Sequence, residues 1–247
     1  MLLQATLNGP FTRADHPAVP VSKVELARDA KACVDEGAGA IHLHPRGPDG
    51  GEDLRAEVVD DVVSMVRAAC GVPVGVSTGA WIEPDVGRRV ALIRSWRSPD
   101  FASVNVSEVG SFEVMAACLD VGIGVEAGVW TVEDAELLVS SQLSERVLRV
   151  LIEPVEVSKR DAVAVVEAIH AVLDRHDLAV PRLQHGDGEA TWVLLSDAIR
   201  RGIHTRIGLE DTFQELDMAQ TRSNASLIRA ARQLGAGQPL TGGKTPQ

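Results

Sequence analysis

The chain has 247 residues, 24 basic and 35 acidic, for a formal charge of −11. With 45% apolar and 24% charged residues, it has the balance of a folded globular protein rather than of a disordered chain. An acidic chain without a basic cluster lacks the footprint that nucleic acid demands, because Lys and Arg must displace phosphate counterions. With 3% aromatics and no Tyr, base-stacking platforms are excluded as well. The first ten residues lack the basic start and apolar run of a signal peptide, and no apolar stretch reaches the length of a membrane span. Cys33, Cys70 and Cys118 fall in helical stretches with no metal-type spacing, and are read as buried apolar residues. The expectation is a soluble cytoplasmic protein that binds neither membrane nor nucleic acid.

In chain order, short runs rich in Val, Ile and Leu alternate with longer stretches of helical periodicity. The predicted strands are 2–7, 40–44, 72–77, 101–106, 123–126, 147–152, 182–185 and 205–209. The predicted helices are 22–37, 54–70, 84–96, 111–120, 131–142, 158–175, 189–201 and 217–234. Ser22 followed by Glu25 reads as a capping box, Thr131 followed by Asp134 as its aspartate version, and Ser158 with Asp161 as a third start signal. Gly37, Gly71, Gly122 and Gly202 sit where left-handed helix ends are expected. Eight strand–helix units imply an α/β fold, a single (β/α)₈ TIM barrel over residues 1–234, with 235–247 as a loose C-terminal tail. An open, doubly wound sheet is the alternative, although it normally uses fewer units.

A barrel of this kind works at the C-terminal ends of its strands. His42-Leu43-His44 is the sharpest feature there: side chains two apart on a strand share a face, so both imidazoles converge as a divalent-metal site requires. Two histidines are not sufficient, and a carboxylate from another strand end is the natural third ligand. Glu210 is the first choice, with Glu126 and His185 as rivals. Arg206 and Gly208 share a face of the last strand, which places an arginine deep in the mouth where it can fork onto a substrate carboxylate. Asp211 can serve as a base if desolvation raises its pKa. Ser77-Thr78-Gly79 offers donors to an oxyanion or caps the next helix. Asn105 and Arg46 complete the strand-end candidates for substrate binding. His185-Gly186-Asp187-Gly188 reads as a turn, and Glu153, just before Pro154, as structural.

Taken together and in this order, Phe11-Thr12-Arg13-Ala14-Asp15-His16-Pro17, His42-Leu43-His44-Pro45-Arg46, Ser77-Thr78-Gly79 and Arg206-Ile207-Gly208-Leu209-Glu210-Asp211 resemble the β-keto acid cleavage enzymes, the 3-keto-5-aminohexanoate cleavage enzyme-like family. The resemblance implies a TIM barrel carrying Zn²⁺, or another divalent ion, on His42, His44 and Glu210. It implies an acyltransferase that condenses a β-keto acid with acetyl-CoA to give acetoacetate and a new acyl-CoA. Carried across, Arg206 would hold the substrate carboxylate, Asp211 would be the general base, Glu126 would assist it and Ser77 would bind substrate. A homo-oligomer is implied on the same ground. The chain departs from the family at Asn8-Gly9-Pro10-Phe11, where an acidic residue is usual, which implies a different side chain on the keto acid. A zinc-dependent hydrolase of small esters, lactones or amides, and a degenerate barrel that only binds a small acid, are the competing readings.

Overall fold

The computed structural model describes residues 1–155 and 158–238. Eight parallel strands close on themselves in sequence order: β1 (Leu3–Thr6), β2 (Ala40–Leu43), β3 (Val74–Ser77), β4 (Phe101–Asn105), β5 (Gly124–Val129), β6 (Arg149–Ile152), β7 (Arg182–Gln184) and β8 (His204–Ile207). The ring is sealed where β8 pairs with β1, setting Gln4 opposite Arg206, while Thr6 stands opposite His42 on the other side. Eight helices alternate with the strands: α1 (Lys23–Asp35), α2 (Ala56–Cys70), α3 (Val86–Ser95), α4 (Ser111–Asp120), α5 (Val132–Ser140), α6 (Ala162–Arg175), α7 (Thr191–Arg201) and α8 (Asn224–Gln233). The expected TIM barrel is the observed fold. None of the helices described is long and apolar enough to cross a membrane.

Period-two alternation divides the strands between two environments. Leu3, Ala5, Ile41, Leu43, Val74, Val76, Val125 and Ala127 belong to one buried apolar cluster with helix residues such as Leu26, Val63 and Ile93. The other face fills the barrel and is largely polar. Glu126 Oε1 accepts from Gln4 Nε2 at 2.9 Å and from Arg149 Nε at 2.7 Å, and the Arg149 guanidinium lies 5.2 Å from the centre of the Phe101 ring. Gly75 leaves room for that ring, since a Cβ there would come within 2.0 Å of it. The network also explains why β5 runs past the predicted end at Glu126. The charge that closes the apolar run in the sequence is compensated inside the barrel, so the strand continues to Val129.

Local signals fix the helix starts. Ser22 and Thr131 form capping boxes with Glu25 and Asp134, and Gly71 and Gly202 end α2 and α7 in the left-handed conformation. Two starts differ from expectation. Ser158 Oγ accepts from the Asp161 amide and donates to its carboxylate, closing a turn, and α6 begins only at Ala162. The helix expected from 217 begins at Asn224, because Gln214 and Gln220 pair antiparallel and Ser223 then caps the helix. Of the expected tail, Ala236 is buried against the core and residues 239–247 lie outside the described residues. Cys33, Cys70 and Cys118 are buried and unpaired, as expected.

Asn224 ties the last helix to both strands that close the barrel. Its Oδ1 accepts from Leu209 N at 2.6 Å, and its Nδ2 donates to Leu7 O at 2.8 Å and to Asp29 Oδ2 at 2.6 Å. Burial pushes the Asp29 carboxyl up to about 6, against the pull of that hydrogen bond. A pKa raised by folding makes ionisation weaken the native state progressively between pH 4 and pH 6, and the loss is complete above that window. Asp29→Asn keeps an oxygen for Asn224. It should therefore raise stability by up to about 3 kcal/mol at pH 7.5, with the gain vanishing near pH 4. Urea denaturation at the two pH values checks this, and equal stability of the two proteins at pH 7.5 would refute it.

Candidate metal and substrate site

The strand ends surround a cavity of about 430 Å³ lined by His42, His44, Ser77, Asn105, Arg206, Glu210 and Asp211. Most of the expected residues thus meet in one place. His42 and His44 project from the end of β2 with ring centres 5.4 Å apart. Glu210 Oε2 lies 3.7 Å from Nε2 of each ring. That oxygen is sealed from solvent with no hydrogen-bond partner, which is costly unless something positive is received there. Ligand atoms of the three residues all lie within 4.8 Å of one another. Tetrahedral bonds of about 2.0–2.1 Å to zinc require donor separations near 3.3 Å, so a small closure of these side chains would hold an ion. Two imidazoles and a carboxylate suit zinc and similar divalent ions. The rival third ligands, Glu126 and His185, lie outside this group.

Glu210 and Asp211 reach the mouth because β8 packs tightly on β1. A Cβ at Gly208 would lie 1.8 Å from Thr6 O, so only glycine permits the approach. Arg206 Nη2 then donates to Glu210 Oε1 at 3.0 Å and to Asp211 Oδ1 at 2.9 Å, and stands 3.6 Å from Glu153 Oε1. Asp211 is nearly inaccessible, and its second oxygen accepts from Thr6 Oγ1 at 2.6 Å. Burial pushes its carboxyl up, but Arg206 and His185 outweigh burial and hold it below the ordinary carboxylate range. The expectation that desolvation would raise this pKa is therefore reversed, and the reason is the cation that the same strand supplies. Burial likewise acts on Glu210 and is overcome by His42, Arg206 and His44, which hold it well below the usual value.

Two strand-end residues take places other than those expected. Glu153, expected to be structural, lines the cavity and stands 3.4 Å from His185 Nε2. His185, expected as part of a turn or as a rival metal ligand, has its Nδ1 3.3 Å from Asp211 Oδ1. Burial lowers its basicity and Arg206 lowers it further, yet Glu153 and Asp211 raise it to about 9. Both residues sit at strand ends, which marks them as candidates, while the neighbouring Pro154 and the flanking glycines point to local structure in the sequence. Asp187 lines the cavity too, and desolvation together with the charge of Asp211 raises its carboxyl.

Other expected residues are placed differently. Glu126 lies inside the barrel with Gln4 and Arg149 as its partners and does not line the cavity. Arg46 Nη2 donates to the carbonyls of Gly9 and Phe11, at 2.7 and 2.9 Å, and so shapes the loop after β1 rather than facing the cavity. Ser77 and Asn105 line the cavity, Asn105 Nδ2 donating to Glu108 Oε1 at 3.0 Å. Asn8, the first residue of the stretch Asn8-Gly9-Pro10-Phe11 in which the sequence departs from the family pattern, is fully buried. It donates to His44 O and accepts from His44 N, both at 2.9 Å. The loop beyond it presents Pro10 and Phe11 to the cavity, alongside Trp81 from the loop after β3.

Comparison with known proteins points the same way. A profile of the family described as "BKACE: beta-keto acid cleavage enzyme" matches residues 1–151, more than half of the chain and including His42, His44 and Ser77. The 3-keto-5-aminohexanoate cleavage enzyme of Acetoanaerobium sticklandii is 29% identical over 111 residues, covering 42% of this chain and 38% of that protein. The 3,5-dioxohexanoate:acetyl-CoA acetone transferase of Paraburkholderia graminis is 29% identical over 94 residues, 38% of this chain and 30% of that protein. These matches span well under half of the length of either relative. Among solved structures, ObcA in binary complex with oxaloacetate superposes with a TM-score of 0.70 at 15% identity, over 88% of this chain and 63% of that one, a likeness that concerns the fold. A closed barrel, with His42 and His44 at its mouth inside the stretch matched by the profile, makes this chain a member of the β-keto acid cleavage enzyme family.

Proposed function

We propose that the protein is a zinc-dependent acyltransferase that exchanges acyl groups between a β-keto acid and acetyl-CoA, releasing acetoacetate and a new acyl-CoA. The single observation that carries this reading is the pairing, in one cavity, of a three-donor set for a divalent ion with an arginine flanked by carboxylates. A keto acid presents complementary chemistry, a ketone and a carboxylate in one small molecule. A divalent ion on His42, His44 and Glu210 would supply Lewis acidity to the substrate ketone.

The remaining work falls to this chain's own side chains. Arg206 receives the substrate carboxylate, since its guanidinium already sits among carboxylate oxygens and is matched to their geometry. Asp211 removes a proton from C2 of the keto acid. Its lowered pKa makes it a weak base that is ionised across the physiological range, and the C2 proton it must remove is acidified by the adjacent ketone. Thr6, Arg206 and His185 hold the carboxylate in place, with Glu153 completing the group. Glu126 supports it from inside the barrel, through its field at Arg206. The C2 carbanion attacks the acetyl carbonyl of acetyl-CoA and expels the CoA thiolate. The thiolate then adds to the original ketone carbon. Cleavage of the bond from that carbon to C2 leaves the new thioester and the carbanion of acetoacetate, which takes the proton back from Asp211. Ser77 and Asn105 bind the substrate from the opposite wall, Ser77 as a donor to developing oxyanions. Arg46 acts on substrate at one remove, through the loop whose carbonyls it holds. Pro10, Phe11 and Trp81 form the wall for the side chain of the keto acid.

The test is elemental analysis followed by an exchange screen with acetyl-CoA and β-keto acids bearing alkyl, hydroxylated and cationic side chains, with products read by mass spectrometry. Acetoacetate and a matching acyl-CoA should appear together and only with acetyl-CoA; hydrolysis without CoA would support the hydrolase reading instead. His42→Ala should remove stoichiometric zinc, and retained metal would refute its place as a ligand. Asp211→Asn should keep zinc and lower kcat by a factor on the order of 10²–10⁴, the usual contribution of a general base. Turnover within a few-fold of the parent would remove Asp211 from that role.

A further inference from the structure

The two histidines of the donor set are not held alike. His42 Nδ1 is buried with no hydrogen-bond partner. His44 Nδ1 instead lies 2.5 Å from Glu52 Oε1, and the other oxygen of Glu52 accepts from Trp81 Nε1 at 3.0 Å. Glu52 comes from the loop after β2, folded back so that Gly47 N donates to Gly51 O at 2.8 Å and Glu52 bridges to Arg46. Its side chain is 12% exposed. Trp81 is half exposed, lines the cavity and lies nearly parallel to His44, with ring centres 6.2 Å apart. The His44 backbone is clamped as well, by both ends of the Asn8 amide.

We propose that Glu52 and Trp81 are positioning residues for the metal site, a relay in which the indole N–H of Trp81 orients Glu52 and Glu52 orients His44. A carboxylate that accepts from Nδ1–H selects the tautomer with Nε2 free to face the ion, fixes the ring plane and makes Nε2 a stronger donor. Histidine rings have two ways to offer a nitrogen, and only one of them faces Glu210 here. The loop after β2 therefore contributes to metal affinity without touching the metal, and a wall of the substrate cavity is joined to a ligand by two hydrogen bonds. The inference rests on the metal reading of the proposed function.

Zinc affinity measured by competition with a chromophoric chelator tests the relay without any need for turnover. Glu52→Gln should bind zinc 10–100-fold more weakly, the usual cost of losing a carboxylate behind a ligating histidine. Trp81→Phe keeps the aromatic wall and removes only the N–H, so a loss of about 2–5-fold is expected. The double variant should bind no more weakly than Glu52→Gln alone, because Trp81 acts only through Glu52. Unchanged affinity in Glu52→Gln, or losses that multiply in the double variant, would overturn the relay. If Glu52→Gln does not fold, unchanged affinity in Trp81→Phe overturns it. A parent protein that takes up no zinc sensitive to His42→Ala would overturn the metal reading itself, a result distinct from either.

Discussion

Everything at the barrel mouth depends on one guanidinium. Glu210, Asp211 and Glu153 crowd a space largely closed to water, where three uncompensated carboxylates could not stay ionised together. Arg206 lies within 3.6 Å of all three, and their combined charge pushes its own pKa far above the ordinary value despite burial. His185 adds a second positive charge on the far side of Asp211 and Glu153. The result is a largely compensated cluster, two cations set against three carboxylates, rather than an acidic hole. The cluster can assemble because Gly208 lets β8 close against β1 at Thr6. Backbone sterics at one residue and electrostatics at another are thus parts of a single device.

The same cluster separates the carboxylates by state. Asp211 and Glu210 are held ionised by cations they touch, whereas Asp187, at the rim of the cavity, is raised by desolvation and by the charge of Asp211. Environments that push neighbouring carboxyls apart are how one cavity can contain both a ready acceptor of protons and a group that keeps one longer. Glu210 has a further use for its charge, since its second oxygen is left bare between two imidazoles. One oxygen of Glu210 faces Arg206 and the other faces the histidines, so this single residue joins the metal-type site to the Arg206 cluster.

What the sequence disclosed follows from how local the signals are. Strand and helix alternation is a short-range property, and it yields the barrel and the placement of His42, His44, Arg206, Glu210 and Asp211. Glu126 ended an apolar run and so truncated the expected β5, because compensation by Arg149 and Gln4 comes from other strands and leaves no trace in the local pattern. Helix α8 starts later than its periodicity suggests for a similar reason: the Gln214–Gln220 pairing that postpones it depends on how the loop folds back. Glu52 carried no signal, since a glutamate in a Gly-rich loop acquires a task only when the chain returns it to His44. Long-range partners of buried charges are what a single sequence hides most effectively.

The stretch Asn8-Gly9-Pro10-Phe11 shows why a departure from a family pattern has to be judged in three dimensions. In the sequence it is a missing acidic residue just after the first strand. In the fold the Asn8 amide is used at both ends against the backbone of His44, donating to the carbonyl and accepting from the N–H. A carboxylate could accept there but could not donate, so an acidic residue at this position would leave the His44 carbonyl without that partner. The amide thus belongs to the support of a metal-type ligand, and it leaves the loop beyond it free to present Pro10 and Phe11. With Arg46 holding the carbonyls of Gly9 and Phe11, that apolar wall is built from behind by polar bonds. The cavity is thus bounded opposite the guanidinium by the apolar surfaces of Pro10, Phe11 and Trp81 rather than by a charge at the end of β1.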